Sequence, residues 1–323
     1  MSLEQILFSV TPLDFEYEAL EPLYIEAGKA TNLLRGSLGL MLRRLACAPG
    51  CRDSNWCPLP AACLYRQIFE GETNGVRPSG YQEAPRPFVL RWDDWGEMRI
   101  APGTVFRTGL HLFDSRTEVL ALMLRAYGKL PAAGLGPARA KMRLRRISQV
   151  DAAGAQGVLW TSETKGEMPR PATLRFQLGP VEDAPRRVKV RFLSPTEIKQ
   201  DGQVLTTADF RPLFQRLWER LSFLIVHYAP NGTTAARDIL SAGADELIEA
   251  AGRVALVRQN LAPMAVSRFS TRTGQTHPLS GLMGEAEYEG DFRLLWAWMK
   301  ASEWTGVGRQ TVWGKGSLRW EMG

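Results

Sequence analysis

All four cysteines of this chain fall in one stretch, CAPGCRDSNWCPLPAAC, at Cys47, Cys51, Cys57 and Cys63. Scattered structural thiols do not cluster in this way. Four thiolates on a short, proline-containing loop suit a tetrahedral metal ion, zinc first and an iron–sulfur cluster as the alternative. The spacing of three, five and five residues is not that of a C-x2-C knuckle, so a loop without metal, or partly disulfide-bonded, stays open as a third reading. Four sulfurs would fill the coordination sphere, so a metal here is structural and leaves no position for catalysis.

A second constellation closes the chain. In EWTGVGRQTVWGKGSLRW, Gly306 and Gly308 form one G-x-G pair, and Gly314 and Gly316 a second pair five residues on. Paired glycines permit positive φ and let backbone approach a phosphate chain closely. Arg309 and Lys315 then read as phosphate contacts. The competing reading is a turn needed only for folding. A dinucleotide-binding loop follows a strand and opens a helix, whereas this one lies between a helix and a strand, and no Walker sequence is present. Among the histidines, His111 sits in the apolar run TGLHLF and His227 at the end of a helical pattern, and both read as packing residues. His277 lies in the polar stretch TRTGQTHPLSG, near Arg268 and Arg272, and is the one with a chemical environment.

The elements that must position these groups follow from periodicity. Leu33, Leu34, Leu38, Met41, Leu42 and Leu45 recur at helical spacing and predict a helix over 30–46 that delivers the cysteine loop. A first strand within 5–26 precedes it, and strand patterns at 87–93 and 98–113, a helix over 116–130 and a strand over 139–147 complete the first half. The order is strand, helix, two strands, helix, strand, which is the split βαβ plan. The second half repeats it: a strand at 187–193, a helix over 209–228 capped by Asp209, an added helix over 235–252, strands near 262–272 and 281–289, a helix opened by Asp291, and a last strand. The predicted organisation is a first domain over 1–150 with a Cys-rich loop at 47–63, a linker region over 151–185, and a second domain over 186–323 with the glycine loop at 306–316.

The net charge of +6 in 323 residues is modest, but its placement is not random. Arg139, Lys141, Arg143 and Arg145 alternate with Ala140, Met142 and Leu144, and Arg187, Lys189 and Arg191 alternate with Val188, Val190 and Phe192. A period of two predicts strands with one buried and one cationic face, open to a polyanion. The bland reading is a solvated outer sheet face. The N-terminus lacks the marks of a signal peptide, and no apolar run approaches the roughly 18 residues of a membrane helix. A cytoplasmic location without membrane contact is therefore expected.

The segments LLRGSLGLMLRRLAC (33–47), CLYRQIFE (63–70), GLGPARAKMRLRRI (134–147) and 268–320, ending in the glycine loop, together resemble the CRISPR precursor-RNA processing endoribonuclease family of the RAMP superfamily, in its cysteine-containing branch. The resemblance implies an α+β fold of two tandem ferredoxin-like domains (RRM/RAMP-type) with a Cys-rich metal-binding insertion. It implies binding of CRISPR repeat RNA and one cut per repeat without a catalytic metal, leaving a 2′,3′-cyclic phosphate and a 5′-hydroxyl. It also implies hand-over to a CRISPR effector complex, and a homodimer is compatible with it. Relatives often carry a histidine near the first helix, and here no histidine precedes His111. Arg35 and Lys29 match positions near the family's active cleft and, with His277, are the candidates for catalysis; Tyr24 and Tyr65 are weaker ones. Two other readings remain: a non-catalytic RNA-binding subunit of an effector complex, favoured by the missing histidine, and a zinc-dependent nucleic-acid enzyme, disfavoured by a filled thiolate site.

Overall fold

A computed structural model describes residues 6–51, 62–70, 85–92, 94–151, 154–229, 234–265, 267–270, 275–278 and 280–323, with 234–235, 267–270 and 275–278 described by backbone alone. The chain divides into two compact units, one of residues Val10–Leu174, the other of Met1–Ser9 with Arg175–Gly323.

In the first unit the strands are β1 (Leu7–Ala19, whose first residues belong to the other unit), β2 (Phe88–Arg91), β3 (Val105–Leu112), β4 (Met142–Val150) and β5 (Gln156–Thr161). Helix α1 (Ala30–Ala46) follows β1, and α2 (Thr117–Ala133) follows β3. The sheet order is β2-β3-β1-β4-β5, with antiparallel pairing throughout this path. Its first four members give the ferredoxin-like arrangement, with β1 central. Leu13, Phe15 and Tyr17 of β1 alternate inward, each fully buried, and meet Leu34, Leu38 and Leu42 of α1 and Met123, Tyr127 and Leu130 of α2 in one core. Phe15 stacks on Tyr127 at 4.0 Å between ring centres.

The second unit repeats the plan with β6 (Arg187–Thr196), α3 (Phe210–Tyr228), α4 (Thr234–Gly252), β7 (Ala255–Met264), β8 (Gly281–Glu289), α5 (Trp296–Thr305) and β9 (Leu318–Met322). The order is β7-β8-β6-β9, again with the first strand central. Phe210, Leu213, Phe214, Leu217, Leu221 and Leu224 of α3 are buried, and Phe210 meets Tyr288, Phe292 and Trp320 edge-on. Two tandem ferredoxin-like domains are therefore present, as the element order predicts.

Several expectations change. Residues 151–185 are not a linker: β5 extends the first sheet through the pairing Ile147↔Trp160, and the boundary between units falls at Leu174. Arg139 is not on a strand but in a turn with φ 52°, and β4 starts only at Met142. Within β4 a bulge makes Arg145 the extra residue, because Glu16 pairs with Arg146 and Tyr17 with Leu144. The simple alternation therefore ends there, with Arg145 half-buried and Arg146 exposed. Asp209 occupies the N-cap position of α3 without a side-chain cap hydrogen bond; its carboxylate accepts from the Thr207 hydroxyl instead. Asp291 is bound by the amide and guanidinium of Arg293, and α5 begins later, at Trp296.

Leu38 is wholly buried between α1 and the sheet. Leu38→Ala should cost about 2–5 kcal/mol, read as a lower urea midpoint with unchanged slope.

Candidate functional site

The glycine loop is built onto the end of β6. Helix α5 stops because Gly306 turns to φ 69°, and Gly308, Gly314 and Gly316 are also left-handed at φ 80°, 77° and 72°. The Gly316 amide donates to the Pro195 carbonyl at 3.1 Å, the Arg309 amide to the Glu197 carbonyl at 3.1 Å, and the Val307 amide to the Gly316 carbonyl at 2.9 Å. A Cβ on Gly308 would collide with the Glu197 carbonyl oxygen, and one on Gly316 with that of Val307. Close approach of backbone to backbone, beyond positive φ, is what demands glycine at these two positions.

The entry to the loop is pinned from below. Arg220 of α3 is buried, and its Nε donates to the Thr305 carbonyl at 3.1 Å. The exit is pinned by Lys315. Its ammonium is completely buried and donates to Glu197 Oε2 at 3.3 Å, the Ser280 carbonyl at 2.8 Å and Gln310 Oε1 at 3.0 Å. Three acceptors saturate an ammonium. Lys315, expected as a phosphate contact, is instead an internal strut of the loop. Arg309 keeps the expected exposure: its side chain is 45% exposed, and its Nη1 donates to Glu197 Oε1 at 2.7 Å. Burial pushes the Glu197 carboxyl up, but the Arg309 hydrogen bond and the Lys315 and Arg309 charges outweigh it and leave it below its ordinary value. Burial pulls the Lys315 ammonium down, and Glu197 offsets only part of that.

In the first unit, Cys47 ends α1 and lies beside Cys51 and the buried Cys63; burial and these two sulfurs push its thiol up to about 12. Among the described residues no three His, Cys, Asp or Glu side chains already close on a metal position, and Cys57 lies outside the described residues. Arg35 lays its guanidinium 4.1 Å over the Phe69 ring and donates to the Phe69 carbonyl at 3.5 Å. Phe69 itself stacks on Tyr65 and Phe88. This arginine is held in an aromatic ladder. The Tyr65 hydroxyl beside it is raised by burial and Glu70 against the opposing charges of Arg35 and Arg43. Lys29, at the N-cap of α1, lies 4.0 Å from Glu26. Arg35 lies six positions after Lys29, so the helix points them about 120° apart, and the fold does not bring them together. Tyr24 is exposed, with the Arg99 guanidinium over its ring.

His111 accepts from Arg91 Nε at 3.4 Å, and His227 stacks on Phe223 at 4.1 Å between ring centres, in keeping with packing roles. His277 stands opposite Arg268 in a hairpin of Ser267–Ser270 with Gln275–Pro278. The side chains of Arg268 and His277, and all of Arg272, lie outside the described residues.

The basic strand faces carry more acid than expected. Arg143 and Arg145 both reach Glu18, at 2.8 and 3.2 Å, while Arg107 and Arg146 reach Glu16, at 2.6 and 3.5 Å. In the second unit Arg187 and Lys189 meet Glu287 at 3.5 Å, and Arg191 meets Glu321 at 3.2 Å. These faces are mixed ion-pair networks, not bare cationic stripes. Lys141 is exposed just before β4, its amide bonded to Glu21. Sequence reasoning missed Glu197, Arg220 and Gln310. Glu197 lies one residue beyond β6, and the strand pattern at 187–193 gave no signal for it.

Compared with known proteins, residues 8–173 match a family model described as an N-terminal domain, and residues 190–318 match that of the CRISPR-associated endoribonuclease Cas6. No curated protein sequence matches. Among solved structures, a Cas6 product complex is similar at 17% identity and TM-score 0.57, covering 96% of this chain and 98% of the other. Thermus thermophilus Cas6 is similar at 17% identity and TM-score 0.53, with coverage of 98% and 99%. A partial Cas6-RT-Cas1–Cas2 complex matches at 11% identity and TM-score 0.57, over 99% of this chain and 47% of that one.

The lowered Glu197 carboxyl ties stability to pH. A carboxyl whose folded value is depressed contributes stability above its unfolded value that is lost as pH falls toward the folded one. Melting curves of the wild type should therefore fall below about pH 4 more steeply than those of Glu197→Gln. Parallel curves would mean that Glu197 carries no such linkage.

Proposed function

We infer, from the premise that this chain belongs to the CRISPR-associated endoribonuclease Cas6 family and processes CRISPR repeat RNA, that it cuts each repeat once with the RNA's own 2′-hydroxyl as nucleophile. The observation that supports this most is the match over 190–318, which contains most of β6, Glu197 and the whole glycine loop. In the proposed reaction the 2′-oxygen attacks the adjacent phosphorus and the 5′-oxygen leaves. The products are a 2′,3′-cyclic phosphate and a 5′-hydroxyl. The step needs a proton acceptor, a proton donor and cations around the crowded phosphate, and no metal-activated water.

We assign phosphate binding to Arg309 on the glycine loop, whose Gly306, Gly314 and Gly316 amides are already bonded to the Ser302, Thr311 and Pro195 carbonyls, with Lys141, Arg143, Arg268 and Arg272 as outlying contacts. Arg143 and Arg145 share Glu18, so part of their charge is already offset, as Glu197 offsets part of the charge of Arg309 and Lys315. His277 is the proposed acid or base. Lys29 and Arg35 can stabilise charge, but an arginine is not a proton acceptor at neutral pH, and Arg35 would have to leave Phe69 to reach a phosphate. The processed RNA passes to a CRISPR effector complex in the cytoplasm. No helix among the described residues is long and apolar enough to cross a membrane.

Cutting should persist in EDTA and stop when the nucleotide upstream of the cut is 2′-deoxy, with binding retained. Efficient cutting of that substrate would demand an external nucleophile and end this mechanism. His277→Ala should slow single-turnover cleavage by about 100-fold or more if it moves a proton. RNA bound but never cut by the wild type would instead favour the silent RNA-binding subunit.

We also propose a structural zinc on Cys47, Cys51, Cys57 and Cys63. Support comes from the three described thiols lying together at the end of α1. The ion would tie the loop to the helix and take no part in cleavage. Elemental analysis of reduced protein should find about one zinc per chain, or iron with visible absorption. Finding neither removes the idea. Cys51→Ser should lower the melting temperature first, and activity only as a consequence.

A further inference from the structure

The glycine loop presents one arginine to solvent and hides a lysine beneath it, and a single carboxylate holds both. Glu197 is itself buried, with Oε2 on Lys315 and Oε1 on Arg309. Its backbone carbonyl receives the Arg309 amide. The same residue therefore fixes both ends of Arg309, main chain and guanidinium. Lys315 cannot turn outward, because its three acceptors come from three different segments: Glu197 after β6, Ser280 before β8, and Gln310 within the loop. The cluster holds two cations against one carboxylate, so it keeps a net positive charge, and the exposed part of that charge is on Arg309.

We propose that Glu197, braced by the buried Lys315, is a positioning residue that aims Arg309 at the RNA backbone. This rests on the reading of the chain as a repeat-RNA endonuclease. The physical reason is that a long arginine side chain free to wander loses rotamer freedom when it binds a phosphate, whereas one already clamped loses less. Glu197 uses one oxygen for each cation, so the outer face of the guanidinium keeps donors for a phosphate in its planar fork. Gln310, left-handed at φ 63°, keeps the loop folded over the ammonium.

The test is a double-mutant cycle on binding of a synthetic repeat RNA made uncleavable by a 2′-deoxy nucleotide at the cut. Arg309→Ala should weaken binding by roughly tenfold, the worth of one charge-assisted hydrogen bond, and flatten the salt slope by about one unit. Glu197→Asp keeps the charge that neutralises Lys315 but withdraws the carboxylate from Arg309; Glu197→Gln keeps the length and removes the charge. Either should weaken binding in the wild-type background and add nothing once Arg309 is alanine. Equal losses in both backgrounds would show general damage to the loop and overturn the proposal. So would no loss at all, or an Arg309→Ala variant with wild-type affinity and slope. Melting curves identify variants that fail to fold, and if both Glu197 variants fail the residue serves folding and the proposal falls. Wild-type protein that does not bind the repeat RNA would overturn the function reading itself, a result distinct from all of these.

Discussion

A completely buried ammonium has to be neutralised and saturated, and in the second unit that requirement falls on Lys315. Taking a lone ammonium out of water costs several kcal/mol even after relaxation. Glu197 supplies the opposite charge and Ser280 and Gln310 the remaining acceptors. The glycine loop, the residue after β6 and the start of β8 are therefore fixed together. Removing one partner would leave the other charge buried, a loss of about 3–5 kcal/mol, so the geometry of the loop and the survival of the pair stand or fall as one. Arg220 adds to this at the loop's entry, where its guanidinium donates to the carbonyl at the end of α5.

The open sheet faces obey a weaker form of the same rule. A ferredoxin-like sheet buries one face under its helices and leaves the other to solvent. In both units that face carries arginines opposite glutamates across strands: Glu18 with Arg143, Glu287 with Arg187 and Arg258. Such pairs are exposed, and exposed pairs contribute little to stability. They lower the local field instead, so the mild net charge of the chain is a fair guide to these surfaces. Concentrated positive potential is then a property of particular loops, and the glycine loop, with two cations to one carboxylate, is one such place.

Much of the fold was legible because each element has a strong period. The stripe from Leu33 to Leu45 predicts α1 to the residue, and the order of elements alone names the split βαβ plan in both halves. The errors have local causes. Arg145 is a bulge residue, and a bulge leaves no mark on a run of alternating Arg and Leu. Residues 156–161 add an edge strand in which Leu159 and Trp160 are half-buried against the core, and the three apolar residues from Val158 to Trp160 were too short a run in a polar stretch to announce it. At the site, the spacing of the glycines marked positions of close backbone approach but pointed to a phosphate chain, whereas Gly308 and Gly316 pack against the Glu197 and Val307 carbonyls, the folding turn that was the competing reading. Lys315 was misread because a charge in a glycine loop looks like a ligand contact until its burial is known. Glu197 was invisible because a carboxylate after a strand has no signature until the fold brings it beneath a loop more than a hundred residues away in sequence.

The same limit explains why the proton-transfer group was the hardest part to read. In the proposed reaction the substrate carries its own nucleophile, and such a reaction asks few special residues of the protein: cations held at the phosphate, and one or two groups that move protons. Cations are common in this chain, and ordinary packing recruits them, as Phe69 recruits Arg35. What separates a phosphate contact from a packing arginine is the partner that holds it. Arg35 lies over an aromatic ring and against a carbonyl, contacts it would have to give up to reach a phosphate. Arg309 is held at one edge by a carboxylate while about half its side chain meets solvent. Clamping on one side with exposure on the other is the arrangement that binds an anion without first breaking a stable internal contact; the loop's Arg309 meets that condition where Arg35 does not, and Arg143, held by Glu18 with 52% of its side chain exposed, meets it too.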